Sequence, residues 1–236
     1  MQPQTGGHVA RVDKCSLTVG PGTWVFADRH RDEIERHWAR RSAENPGFFN
    51  GVIHLLTHHG LADGCFRGAF VRTDFKSYLY WRETGFPEAG VHDAFGSALI
   101  RSVEGHVLLG RQREGNINSG LAYLPGGFID VRDVDAGGTI DIRASVLREV
   151  GEETGIPASA FAQRPGYYLT FAGLLISVAV ELVSSERAED LRAQMLAHMR
   201  QDPASELVDA VIVRSRTDLD GLAMPDYARI LIEHLI

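Results

Sequence analysis

Apolar residues recur at helical spacing in four stretches of the chain and alternate or run together in most of the others. Ile34, His37, Trp38 and Arg41 share one face of a helix predicted over 28–44, with Asp28 as its cap. Ile142, Val146 and Val150 stripe a second helix in "TIDIRASVLREVGEETG" (139–155), which Gly155 closes and Pro157 prevents from continuing. Leu191, Met195 and Met199 mark a third over 186–201, and "PDYARILIEHLI" reads as a closing helix with Pro225 in its first turn. Between these lie strand patterns: "FFNGVIHLLTHH" and "CFRGAFVRTDFKSYLYW" divided by "GLADG", then "AFGSALIRS" and "GHVLLGRQR" around the turn "VEG". A short strand and a Gly-Gly turn follow in "GLAYLPGGFID". One long or two short strands fit "GYYLTFAGLLISVAVELV", and one more fits "SELVDAVIVRS". Interleaved strands and helices predict a mixed α/β (α+β) class. "TGFPEAG" (84–90) connects a 1–88 extension, read as a helix plus antiparallel strands, to a domain over 89–236. The first 27 residues carry no clear pattern.

Composition narrows the function. With 236 residues and 44% hydrophobic content the chain has enough apolar material for a real core. A net charge of −7 argues against general nucleic-acid binding, although local arginines or a metal ion could still favour an anionic ligand. Cys15 and Cys65 are far apart in sequence without metal-type spacing, which fits a reducing cytoplasm. "MQPQTGGHVA" lacks the features of a signal peptide. The apolar run "FAGLLISVAV" is half a membrane span, so a buried strand is expected rather than a membrane segment.

The unusual chemistry lies in "REVGEETG" (148–155). On a helix, Glu149, Glu152 and Glu153 are related by i, i+3 and i+4 and share a face. Like charges at that spacing, placed in last turns where the helix dipole is already negative, work against folding by roughly 1–3 kcal/mol in all. A solvated acidic face and a divalent-cation site both fit the spacing.

The surrounding residues favour the cation. "REVGEETGI" (148–156) resembles the second half of the Nudix hydrolase signature at every fixed position, and "VLLGRQREGNINSGLAYLPGGFID" is similar to the strand, loop and strand that lead into the signature glycine, here Gly127. The resemblance covers about residues 91–236. "NPGFFNG" (45–51) is similar to an extended subgroup that includes UDP-sugar hydrolases. The chain departs from the signature in one place. Seven residues within "VRDVDAGGTID" (131–141) are extra, and Ile140 stands where the signature's middle Glu would be counted. Asp133, Asp135 and Asp141 are the residues that could substitute for it.

The resemblance implies a Nudix-type α/β/α sandwich with a mixed sheet behind a small α+β extension. It also implies a Mg²⁺-dependent hydrolase, with Mn²⁺ as the alternative ion. The substrate would be a nucleoside diphosphate linked to another moiety, such as a nucleotide sugar or an ADP-ribose-like molecule. Glu149, Glu152 and Glu153 would be metal ligands, joined by the carbonyl of Gly127, where the absence of a side chain lets the backbone approach the ion. Arg148 would orient these carboxylates. The general base would be Glu206, in a segment that resembles the family's loop Glu before a strand, or Glu152. Arg111, Arg113 and Phe128 are the substrate-binding candidates, the arginines through paired hydrogen bonds to phosphate. His58 and His59 are expected at a loop edge, and Trp38, Tyr78, Tyr80 and Trp81 in the core of the extension. The extension could cover the ligand or form a homodimer interface. The competing function is a Nudix-fold module that senses a nucleotide sugar without cleaving it.

Overall fold

The structure is a computed structural model and describes residues 7–203 and 205–236. Most of the opening segment read above for targeting features lies outside the described residues, as does Ala204. Among the described residues, thirteen strands and six α-helices follow the order β1 (His8–Val12), β2 (Lys14–Thr23), α1 (Val25–Arg29), α2 (Arg31–Glu44), β3 (Val52–Ala62), β4 (Cys65–Asp74), α3 (Phe75–Glu83), β5 (Asp93–Arg101), β6 (Val107–Gln112), β7 (Ala122–Tyr123), β8 (Gly126–Phe128), β9 (Thr139–Ile140), α4 (Ile142–Thr154), β10 (Phe161–Gln163), β11 (Tyr167–Ala172), β12 (Leu175–Ser184), α5 (Ala188–Gln201), β13 (Leu207–Val213) and α6 (Asp226–Leu235).

The larger sheet runs β1-β11-β12-β5-β6-β13, with β10, β7 and β8 paired at its margins. It is mixed: β12 and β5 are parallel, and the other pairs are antiparallel. Helix α4 packs on β5 and β8, α5 on β13 and α6 on β11. Val146, Val150, Leu191, Met195, Leu231 and Ile232 supply the apolar stripes that these helices bury. The smaller sheet runs β3-β4-β2-β9. A core of Leu17, Leu56, Phe66 and Phe70 joins it to Leu169, Ile176 and Val178 of the larger sheet.

Two strand pairings tie the two halves of the sequence together, beside the single bridges Ile53–Asp130 and Leu56–His92. β1 is the edge of the larger sheet, in register from His8 opposite Phe171 to Val12 opposite Tyr167. β9, which lies in the extra segment before α4, pairs with β2 through Leu17–Ile140 and Thr18–Thr139.

Three local expectations are corrected. The segment "CFRGAFVRTDFKSYLYW" is not strand throughout, because Asp74 caps a helix by accepting a hydrogen bond from the Ser77 N–H. Its apolar residues Tyr78, Leu79 and Trp81 are then buried together on α3. Asp28 does not cap the long helix. It accepts instead from Thr23 and Arg31, while His30 stands at the start of α2. His58 and His59 lie within β3 rather than at a loop edge.

Candidate active site

α4 ends where its sequence predicts but begins later, at Ile142, because Thr139 and Ile140 form β9. The Asp141 carboxylate accepts from the N–H groups of Arg143 and Ala144, and Gly155 ends the helix in the left-handed region at φ 71°. A Cβ at Gly155 would come within 2.6 Å of the His198 ring, whose Nε2 bonds the Glu152 carbonyl at 2.9 Å. Placement of the acidic last turns is thus fixed by backbone geometry and by α5.

The three glutamates do not share one environment. Glu149 is largely buried beneath Gly127, where a Cβ would lie 2.8 Å from the Glu149 carboxyl carbon. Burial pushes Glu149 up to about 7, partly offset by Arg148. Glu152 is half exposed and pairs with Arg132 at 3.1 Å and Arg148 at 3.3 Å. Glu153 is buried and turned inward, accepting from the Tyr123 hydroxyl at 2.7 Å and the Gly126 N–H at 2.9 Å. Burial holds its carboxyl well above the usual range, and the charges of Glu206 and Glu149 push the same way.

Arg148 is the hub beneath them. Its Nη1 lies 2.6 Å from Glu149 Oε1, and its Nη2 lies 2.8 Å from Asp133 Oδ1. Asp133 is buried, and its other oxygen accepts from the Asp130 N–H at 2.9 Å. Of the three aspartates that could stand for the displaced glutamate, Asp133 is therefore the one bonded to Arg148. Asp141 caps α4, and Asp135 folds its own loop by accepting from Gly137 and Thr139. The extra residues carry Asp133 back to Arg148 through a 3-10 turn (Val131–Asp133) and the bridge between Val134 and Ile140.

A cleft of about 580 Å³ opens beside this cluster. Gly127, Phe128, Glu149, Glu152 and Glu206 line one end, so the structure brings these predicted residues together. Glu206 is held above its ordinary pKa by burial and by the charge of Glu152. Arg111 and Arg113 are not among the lining residues. Arg111 donates to the Gly120 carbonyl, and Arg113 to the carbonyls of Ser205 and Pro203. Their guanidinium groups brace loops, and Arg113 also bonds Glu206 backbone to backbone at 2.8 Å. Arg82 and Arg132 face the cleft instead, with Phe48, Phe49, Phe75 and Tyr78 of the extension. Sequence reasoning missed these, because the contacts that place them span long separations. The nearest available signal was "NPGFFNG" itself.

Among the described residues no three His, Cys, Asp or Glu side chains converge into a ready metal cage. The chemistry of the donors nevertheless fits a hard divalent cation: carboxylate oxygens of Glu149, Glu152 and Glu206 at one cleft end, against the Gly127 backbone.

Residues 90–190 match the model of the NUDIX domain. No curated protein matches the sequence. Among solved structures, the Nudix hydrolase RenU of M. smegmatis overlaps 60% of this chain and 81% of its own at 15% identity, with a TM-score of 0.38. The MutT protein of Methanosarcina mazei Go1 overlaps 60% and 90% at 24% identity and a TM-score of 0.38. A bifunctional NMN adenylyltransferase/ADP ribose pyrophosphatase of Francisella tularensis, solved with AMP and Mn ion, overlaps 67% of this chain and 44% of its own at 18% identity and a TM-score of 0.42. These overlaps are loose, and the sequence match carries the assignment. Gly127, Arg148 and the three glutamates all fall within the residues that match the NUDIX domain.

Proposed function

We propose that the protein is a divalent-cation-dependent Nudix pyrophosphohydrolase that cleaves the diphosphate of a nucleoside diphosphate derivative, a nucleotide sugar or an ADP-ribose-like molecule. One observation carries this reading: a buried carboxylate, Glu149, pressed against Gly127 in a cleft that also presents the rings of Phe48, Phe49, Phe75 and Phe128. Buried charge of that kind calls for a cation, and aromatic rings suit a planar group attached to the diphosphate.

Glu149 and Glu152 would hold Mg²⁺ or Mn²⁺ with the Gly127 carbonyl, and Glu153 would join them on exchanging its Tyr123 and Gly126 partners. When bound, the ion neutralises charge on the diphosphate oxygens and acidifies water. Arg148 fixes Glu149 from behind. Arg132 faces the diphosphate end of the cleft and supplies positive charge there. Glu206, its pKa raised by burial, would accept a proton from the attacking water.

The test is incubation of the protein with a panel of nucleoside diphosphate derivatives and Mg²⁺ or Mn²⁺, followed by phosphorus NMR. Paired monophosphate products support the reading; an intact panel with either ion counts against it. The alternative of a non-catalytic binding module draws on one feature, the neutralisation of Glu149 and Glu152 by Arg148 and Arg132 within the chain. Thermal stabilisation by a nucleotide sugar without product formation would select it.

A further inference from the structure

The cleft has a second polar feature remote in sequence from the acidic helix. Asp93, at the start of β5, is 3% exposed and lines the cleft. Its Oδ2 accepts from the Tyr78 hydroxyl at 2.6 Å, and that hydroxyl accepts in turn from Arg82 Nη1 at 3.1 Å. Arg82 is itself anchored, donating to the Ile117 carbonyl and to Asn118 Oδ1, both at 3.2 Å. This chain of bonds crosses from the extension to the Nudix domain and fixes the carboxylate in one orientation. The other oxygen, Asp93 Oδ1, is buried without any hydrogen-bond partner. Buried carboxylate oxygens are normally satisfied, so an orphan on a ligand-sized cleft marks the place of a donor that arrives from outside.

The surroundings restrict that donor. Phe128 packs edge-on to Tyr78 with ring centroids 4.7 Å apart, and Phe75 lies beside Phe128 at 6.0 Å. Flat aromatic rings beside a buried acceptor fit the edge of a heterocycle. Gln112 and Asn118 also line the cleft. Gln112 Oε1 is taken by the Asn118 N–H and Asn118 Oδ1 by Arg82, which leaves amide N–H groups to meet an acceptor on the same heterocycle. One acceptor beside donors is the complement of an exocyclic amino group next to a ring nitrogen, the pattern of adenine and cytosine. Guanine places a second donor beside its amino group, and Tyr78 already occupies the oxygen that would be needed to receive it.

We propose that Asp93, held by Tyr78 and Arg82, is the specificity-determining residue of the cleft and accepts a hydrogen bond from the amino group of an adenine or cytosine base. The proposal rests on the hydrolase reading only for the diphosphate to which that base is attached. Water ordered on Asp93 Oδ1 is the competing account, and it predicts no preference among bases.

Calorimetric binding of the pairs AMP/IMP and CMP/UMP at neutral pH tests it, because each pair exchanges an amino group for a carbonyl. Wild-type protein is expected to bind the amino-bearing member roughly ten- to a hundredfold more tightly, since a buried acceptor penalises a ligand that cannot donate. Asp93→Asn, which turns an amide N–H₂ toward the base while its oxygen keeps Tyr78, is expected to reverse the order. Tyr78→Phe, which frees the carboxylate to rotate, is expected to shrink the preference without reversing it. Equal binding within both pairs, binding of none of the four, or an unchanged preference in Asp93→Asn would overturn the proposal. If Asp93→Asn does not fold, the wild-type pairs and Tyr78→Phe decide. Base preference without diphosphate hydrolysis defeats the hydrolase reading and leaves this one standing; hydrolysis without base preference does the reverse.

Discussion

Arg148 Nη2 and Asp133 Oδ1 stand 2.8 Å apart, which joins the acidic helix to the segment that interrupts the signature before it. Asp133 is 6% exposed, so this contact is a charge pair on the inner side of the helix. Removing Asp133 takes away the most deeply buried partner of Arg148 and leaves that guanidinium to Glu149, Glu152 and Asp130. Asp133→Ala is therefore expected to lower stability by about 1–3 kcal/mol, read as a lower urea midpoint at unchanged slope. Turnover should fall as well, because Arg148 then no longer holds Glu149. A variant with wild-type stability and turnover would show that Arg148 is positioned by other means.

Gly127 is tested by adding one methyl group. Its Cβ would meet the Glu149 carboxyl carbon at 2.8 Å, closer than non-bonded atoms tolerate. Gly127→Ala should displace Glu149 and reduce kcat by about tenfold or more, with a stability loss of about 1–3 kcal/mol from overpacking. Full turnover in this variant would separate Gly127 from the site.

Arg113 divides two roles. Truncating a phosphate-binding arginine raises KM, whereas truncating a brace for the loop before β13 lowers kcat through Glu206. Its bonds to Ser205 and Pro203 favour the brace, so Arg113→Ala should lower kcat several-fold and leave KM within about twofold. A raised KM at constant kcat would restore the phosphate role.

Asp93 gives a pH-dependent stability. Burial pushes its carboxyl up from 3.8 to about 6, opposed by the Tyr78 hydrogen bond and the charge of Arg82. The folded state then binds the proton more tightly than the unfolded state. The group's contribution declines as pH rises from about 4 to about 6 and stays unfavourable above that, by about 3 kcal/mol at full ionisation. Asp93→Asn removes the titration, so its stability relative to wild type should rise across that window and then level off. A constant difference between pH 4 and pH 7 in denaturant unfolding would contradict the assignment.

What the sequence disclosed was local. The crowded glutamates, the Gly155 terminus and the stripes of α4 and α5 depend on neighbours within a few positions and are found on the predicted helices, whereas the helix read over 28–44 is broken at His30. The α3 segment was misread because aromatic and β-branched residues favour strands in isolation, while a single cap at Asp74 decides for a helix. The inward turn of Glu153 depends on Tyr123, and the cleft-facing place of Arg82 on Asn118, partners that no periodicity reveals. β9 was read as the start of α4 because its pairing with β2 joins residues more than a hundred positions apart through two residues.

The central claim is that Glu149 and its neighbours hold a divalent ion for cleavage of a diphosphate. The most direct test is the rate of monophosphate release from a cleaved nucleoside diphosphate derivative as Mg²⁺ or Mn²⁺ is titrated into metal-free protein, for wild type and Glu149→Gln. The account predicts no release without the ion, saturable release with it, and a loss of about a hundredfold or more in the variant. Release that ignores the ion, or a Glu149→Gln protein as fast as wild type, would contradict it.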